Sequence, residues 1–337
     1  MGVSMSEEQI AAEADGPTSA AVEAEVVDEL RVALDGLRSE IQTRFLTPRA
    51  DDSLSLGVEW ERWFDAARRR LGTLGMSERS AKVDEFGMDD LVLQRVRPLL
   101  DLLFDRYWRV EVRGLEHLPA QGPCLLVANR SGLLPYDGLM LAHAIEREHP
   151  SGERPRFLIA DWLLGLPFFH ATLAQLGGVR ACRENAERLL ASKRFVVAFP
   201  EGVKGAAKVF RERYQLKRFG RGGAVRVALD RGAPLVPVGI VGAEEAHPIL
   251  FKVGASARSI GLPFLPVTPT FPLFGPLGLL PLPTKWVIRI GEPVAMEHLE
   301  PDAAKDELLV SRLTEEIRTR IQGLIETALS ERESIWG

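Results

Sequence analysis

Between residues 108 and 240, short apolar runs alternate with stretches whose apolar residues recur at helical spacing, and few folds are open to a chain with that rhythm. The runs at 124–128 (Cys-Leu-Leu-Val-Ala), 156–160, 195–199 and 234–240 are bounded by Gly, Pro or polar residues, as strands buried on both faces are. Residues 108–113 alternate instead, as a half-buried strand does. Helical patterns at 138–148, 168–176, 185–192 and 222–230 separate the runs. A late strand at 285–290 and a long amphipathic helix at 303–332 follow. The alternation predicts an α/β fold: a mostly parallel sheet flanked by helices, with an N-terminal helical extension in front of it.

Residues 1–25 are rich in Ala and Glu, contain no aromatic residue, and are expected to form an acidic disordered tail. The helical extension is placed at 26–86, with helices at 26–44 and 58–74. The second of these carries Trp60, Trp63 and Phe64 close to Arg68, Arg69 and Arg70, a pattern that suits a packed helix or one lying on a membrane surface. The α/β domain is placed at 87–337, and a third helix, at 88–107, opens it. With 46% hydrophobic residues over 337 positions the chain can fill a sizeable core. Its net charge of −5, and the lack of aromatics interleaved with its basic residues, argue against nucleic acid as a partner. Cys124 and Cys182 offer neither a disulfide framework nor metal-ligand spacing, and the first residues lack the apolar run of a signal peptide. A cytoplasmic location, with peripheral membrane association, is the expectation.

Two loops carry the candidate chemistry, each at a junction where a strand ends and a helix begins. Backbone groups and helix dipoles converge at such junctions. The first loop runs from Asn129-Arg130-Ser131-Gly132 to Asp137. The second is Phe199-Pro200-Glu201-Gly202-Val203-Lys204-Gly205. Basic residues outnumber acidic ones between 180 and 226, Arg180, Arg183 and Lys204 among them, and glycine-rich loops at 201–205 and 219–223 lie in the same stretch. Guanidinium forks and backbone N–H groups both favour oxyanions, so this stretch suits a phosphate, although residues 211–217 fit a solvated loop equally well. Ser131 lacks the first glycine of a Gly-x-Ser-x-Gly elbow and has no assignable histidine, which puts a lipid esterase third among the readings. There is no Walker motif and no metal constellation.

These loops together resemble the signatures of the glycerolipid acyltransferase family, whose members acylate lysophosphatidic acid and related lipids. The family's first signature is a His, four intervening residues and then an Asp. Here Arg130 stands in the place of the His, and two further residues separate it from Asp137. Phe199-Pro200-Glu201-Gly202 is similar to the second signature, with Lys204 in the place of an Arg. Leu176 to Arg180, continuing through Arg183, resembles the stretch that ends in a phosphate-binding Arg, and Leu235-Val236-Pro237-Val238-Gly239-Ile240 resembles the last block. The nine-residue Asn129–Asp137 loop is similar to that of a divergent branch which includes diacylglycerol-acyltransferase-like and phytyl-ester-synthase-like proteins.

The resemblance implies acyl transfer from acyl-CoA or acyl carrier protein, as substrates rather than cofactors, to the hydroxyl of a lysophospholipid or other lipid alcohol. It implies catalytic roles for Arg130, Asp137 and Glu201, and substrate-binding roles for Asn129, Ser131, Arg180, Arg183, Gly202, Lys204 and Gly205. A guanidinium donates and never accepts, so Arg130 cannot act as the base. Three readings follow. Asp137 or Glu201 takes the proton while Arg130 holds a phosphate or polarises the thioester; a histidine from elsewhere serves, His170 and His143 being the nearest in sequence; or the chain is a relative that binds acyl lipids without turning them over. Residues 260–284 carry no charge and seven prolines, which excludes a membrane-spanning helix and leaves a covering loop or a contact with lipid.

Overall fold

The apolar runs become strands of one seven-stranded sheet. The computed structural model describes residues 83–336 except 133, 165–168, 255–256, 258–262, 272, 274–277, 279 and 297–301. The expected tail at 1–25, and the helical extension as far as residue 82, lie outside the described residues. All described residues belong to one compact unit of the chain, 72–337. The strands are β1 (Glu111–Arg113), β2 (Cys124–Ala128), β3 (Arg156–Ile159), β4 (Gly178–Arg180), β5 (Phe195–Ala198) and β6 (Leu235–Val241), then β7 (Phe251–Val253), β8 (Leu265–Val267) and β9 (Val287–Ile290). In the large sheet the order is β1-β9-β6-β2-β5-β3-β4, while β7 and β8 form a separate antiparallel pair. Every pairing in the large sheet is parallel except β6 with β9. This is the mostly parallel α/β architecture that the alternation predicts.

β2 shows why the central runs are unbroken. Every one of its residues is buried: Cys124, Leu126 and Ala128 enter one apolar cluster, and Leu125 and Val127 enter the other. A strand with a core on each face has no polar side to display. Burial pushes the Cys124 thiol up to about 12, so it packs as a small apolar group.

The helices are α1 (Asp90–Leu102), α2 (Tyr136–Glu148), α3 (Asp161–Leu164), α4 (Phe169–Gln175), α5 (Arg183–Ala191), α6 (Gly202–Ala206), α7 (Gly223–Arg231), α8 (Ala243–Ala246) and α9 (Glu307–Glu331). Residues of α1, α2, α3, α4 and α8 contribute to one core cluster, and those of α5, α7 and α9 to the other. α9 buries Val310, Leu313, Ile317, Ile321, Ile325 and Ala328, a stripe at helical spacing. Asp306 starts this helix by accepting from the N–H groups of Leu308 (2.9 Å) and Leu309 (3.1 Å). α9 crosses β6 so closely that a Cβ on Gly239 would lie 2.9 Å from the Leu324 Cβ.

Three details depart from the sequence reading. The helix at 88–107 finishes in a π-turn, Leu103–Tyr107, and the strand expected at 108–113 starts only at Glu111, because Trp108 is buried and stacks on Trp286 at 4.6 Å. β4 and the β7–β8 hairpin carry no clear strand pattern. The short helices α3, α6 and α8, each at the exit of a strand, were not legible either.

α2 buries a histidine with a consequence for stability. His143 Nε2 lies 2.9 Å from Asp101, its Nδ1 is buried with no partner among the described residues, and its ring packs edge-on against Phe104. Burial holds this imidazole below its ordinary value of 6.5, against the pull of Asp101. The unfolded chain then takes up a proton near pH 6.5 that the folded chain refuses, so stability is full above that pH and is lost as the pH falls below it. Thermal melts between pH 5 and 8 are expected to show this fall in the wild type and a shallower one in His143→Leu. An unchanged slope would exclude His143 as the source.

Candidate active site

The fold brings the two signature loops together above the ends of β2, β5 and β6. Asn129, fully buried, donates through Nδ2 to the Ile240 carbonyl at 2.9 Å and accepts from the Ile240 N–H at 2.7 Å. It thereby ties the exit of β2 to β6. The Arg130 N–H donates to Glu201 at 2.9 Å, which ties the same exit to the loop after β5. Gly205 lets α6 close on both: a Cβ there would lie 2.6 Å from the Glu201 Cβ and 2.8 Å from the Arg130 Cβ. Gly202 occupies the left-handed region at φ +55° where the loop turns into that helix.

Asp137, at the start of α2 and fully buried, is an acceptor for the first loop. It receives the Ser131 N–H (2.9 Å), the Ser131 hydroxyl (3.3 Å), the Gly138 N–H (2.8 Å) and a short ion pair from Arg130 Nη1. Burial pushes the Asp137 carboxyl up, against the pull of Arg130 and of the two backbone donors. The carboxylate therefore folds the loop onto the guanidinium. The Arg130 guanidinium also lies over the Phe199 ring, 5.4 Å from its centroid, and Asp137 is its one hydrogen-bond partner among the described residues.

Glu201 is saturated in the same way. Its carboxylate accepts from the N–H groups of Arg130 and Lys217 (2.7 Å) and lies 3.4 Å from Lys208 Nζ. Lys208 in turn reaches Glu244 at 2.6 Å, and Glu244 accepts from the Tyr214 N–H at 3.0 Å. The three side chains are at most 5% exposed. Burial pushes the Glu244 carboxyl up, against the pull of Lys208. Neither Lys208 nor Glu244 could be singled out from the sequence, since their pairing depends on the α8 turn approaching the loop after α6.

Arg130 projects onto a cleft of about 400 Å³ between α5, α7 and the ends of β3 and β5. Leu125, Leu158, Ala186, Ala198 and Val227 supply apolar walls, and Arg183, Arg221 and Arg226 are further cationic lining residues. The volume falls in the range of small-molecule sites. Among the described residues, no Asp, Glu or His lines the cleft. Trp162 does, and its indole N–H is buried with no partner among the described residues, a donor that an enclosed ligand can satisfy.

The remaining expected site residues fall in different places. Arg183 lines the cleft while paired with Glu187 and Asp230, each at 2.6 Å. Arg180 is exposed and holds Asp161 in a bidentate pair at 2.8 Å, which keeps the Asp161 carboxyl below its ordinary range. Lys204 is exposed on α6 and does not line the cleft. Ser131 faces Asp137 with no histidine among its hydrogen-bond partners. His143 serves the opposite core cluster, and His170 is exposed on α4. A third histidine comes to the first loop. His247 stacks on Tyr136 at 5.7 Å, and its Cβ and Nδ1 would lie 3.7 Å from a Cβ on Gly132. No signal in the sequence connects it with that loop; the exit of β6 carries it there.

The β2 and β5 exits of this parallel sheet are joined through Arg130, Glu201 and Asp137, and the stretch that holds them is an acyltransferase-family domain. Residues 109–241 match the acyltransferase family. An uncharacterized protein of Mycobacterium tuberculosis is 46% identical over 255 residues, 75% of this chain and 71% of the relative. Phytyl ester synthase 2, chloroplastic, of Arabidopsis thaliana is 34% identical over 143 residues, 40% of this chain and 20% of that protein. Among solved structures, the 1-acyl-sn-glycerophosphate acyltransferase PlsC from Thermotoga maritima superposes with a TM-score of 0.48 at 16% identity, covering 81% of this chain and 94% of that one.

Proposed function

We propose that this protein transfers an acyl group from acyl-CoA or an acyl carrier protein to the hydroxyl of an anionic lipid acceptor, with Arg130 as the cation that faces the reacting oxygen. In the net reaction the thioester C–S bond breaks, the ester C–O bond forms, and the hydroxyl proton ends on the departing sulfur. Charge develops on the carbonyl oxygen as the alcohol adds. A preorganised guanidinium in an apolar cleft stabilises that charge without reorganising. Trp162 offers a second donor in the same wall. The cationic lining of Arg183, Arg221 and Arg226 suits the phosphate of a lysophospholipid or of the acyl donor, while the apolar walls suit the chain. The observation that carries the reading is the position of Arg130: anchored by Asp137, laid over Phe199, and exposed to the cleft.

Asp137 and Glu201 are each held by several donors, which argues against either as the base and for both as anchors of the loops. No described helix is long and apolar enough to cross a membrane, which is compatible with peripheral binding to the lipid phase. A second reading, an acyl-lipid-binding relative without turnover, is favoured by one observation: among the described residues, the cleft lining includes no proton acceptor of the carboxylate or imidazole type. The esterase reading has no support from the Ser131 contacts.

The test offers the purified full chain labelled long-chain acyl-CoA, or acyl carrier protein, with lysophospholipids, diacylglycerol and long-chain alcohols. Transfer to an acceptor by the wild type, lost in Asp137→Ala, is the expected result. Binding of acyl-CoA without product, with transfer appearing in Arg130→His, would replace this reading by the second.

A further inference from the structure

We infer that His247, carried in by the exit of β6, takes the proton from the acceptor's hydroxyl during acyl transfer. The inference rests on the transfer reading given above, and it assigns a residue that neither signature loop contains. The reaction needs a base within reach of the attacking oxygen. Arg130 only donates, and Asp137 and Glu201 are each occupied by several donors. Among the described residues, the cleft lining offers neither carboxylate nor imidazole, so the base comes from outside it. Four described histidines serve other parts of the fold. His143 is buried against Asp101, His117 Nδ1 lies 2.8 Å from the Ile290 carbonyl, His149 Nδ1 lies 2.8 Å from Ser151 Oγ, and His170 is exposed on α4. His247 is the described histidine that meets the first loop, its Nδ1 3.7 Å from the place of a Cβ on Gly132. Gly132 follows Arg130 by two residues, so their Cα atoms are at most about 7.6 Å apart.

The surroundings of His247 fix it with respect to Arg130. Its ring lies 5° from parallel to that of Tyr136, with 5.7 Å between centroids. Tyr136 sits edge-on to Trp108 at 5.3 Å, and Trp108 stacks on Trp286. Three aromatic rings in series thus back the imidazole, and the one that touches it is the residue before Asp137. The backbone is held as firmly. His247 directly follows α8, whose Glu244 receives Lys208, while Lys208 also reaches Glu201 and Glu201 accepts the Arg130 N–H. The neighbouring Glu245 takes Arg332 in a bidentate pair. These contacts close a ring from the first loop to the second, on to α8, and back to the first loop at Gly132. In the sheet β2 lies between β5 and β6. The cleft opens on the β5 side of Arg130 and His247 arrives from the β6 side, so thioester and hydroxyl would meet over the end of β2. His247 is half-buried there, within reach of a hydroxyl as the buried His143 is not. As the hydroxyl oxygen adds to the thioester carbon, the imidazole takes its proton and Arg130 faces the carbonyl oxygen. As the C–S bond breaks, the imidazolium returns that proton to the departing sulfur.

Steady-state kinetics of the full chain test this, with long-chain acyl-CoA and the acceptor of the panel above that the wild type acylates. His247→Gln is expected to lower kcat by about 10²–10⁴-fold, the worth of general-base assistance, with KM little changed and the melting transition where it was. His247→Ala is expected to show the same loss and to regain part of it when imidazole is added to the buffer, a rescue that a structural histidine would not show. His170→Gln, which removes the exposed histidine of α4, is expected to turn over as the wild type does. A His247→Gln variant that works at the wild-type rate would overturn the inference and leave the transfer reading standing. So would a loss in His247→Ala that added imidazole leaves untouched, since the side chain would then only pack against Tyr136. A wild type that acylates no acceptor would remove the transfer reading itself, and the base with it.

Discussion

Lys208→Met is expected to destabilise the protein by about 3–5 kcal/mol, the cost of leaving a buried carboxylate without its counter-charge. Lys208 is 2% exposed and lies between Glu201, whose side chain is fully buried, and Glu244, which is 5% exposed. Methionine fills much of the same volume, so the loss is electrostatic rather than a cavity. Two like charges would face each other across the gap, and the loop that presents Arg130 would lose its anchor, because Glu201 accepts the Arg130 N–H. Adding Glu201→Gln and Glu244→Gln to Lys208→Met removes the charges together and is expected to recover a large part of the loss, as whole buried ion networks often can be replaced at little cost. Denaturant melts of the three proteins check this. A Lys208→Met variant within about 0.5 kcal/mol of the wild type, the size of an ordinary surface substitution, would show that Lys208 does not hold the loop.

Arg130→Met carries the other large effect, and it has two parts. The fully buried Asp137 loses its guanidinium partner, which is expected to cost about 3–5 kcal/mol of stability. Acyl transfer is expected to fall by about 10²–10³-fold in kcat, the loss typical of removing one preorganised donor from a developing oxyanion. Arg130→Met/Asp137→Leu separates the parts: the stability loss shrinks while the kinetic loss stays. If activity returned together with stability, Arg130 would be a structural anchor and no more.

Much of the fold could be read directly from the chain, for physical reasons that particular elements make plain. β2 and β5 are buried on both faces, so their sequences are unbroken apolar runs, and α9 shows its buried stripe at helical spacing. β4 is three residues long and begins with a glycine, leaving too little sequence for a pattern. The position of the two signature loops was legible, because both follow apolar runs that end as strands. What their residues touch was not. Arg180, expected to meet a phosphate, meets Asp161, nineteen positions away. The Lys208 bridge, the unpaired Trp162 donor and the approach of His247 to Gly132 all depend on which strand exits lie side by side, and the strand order is a property of the folded sheet alone.

The central claim is that the cleft beside Arg130 holds the acyl chain of the donor. Photolabelling the full chain with an acyl-CoA that carries a diazirine near the chain terminus, followed by peptide mapping, tests it most directly. Label on the cleft walls, at Leu158, Trp162, Ala186 or Val227, reduced by unlabelled acyl-CoA, is the predicted result. Label that spares those walls and settles on exposed apolar residues such as Leu308, insensitive to competitor, would contradict the account.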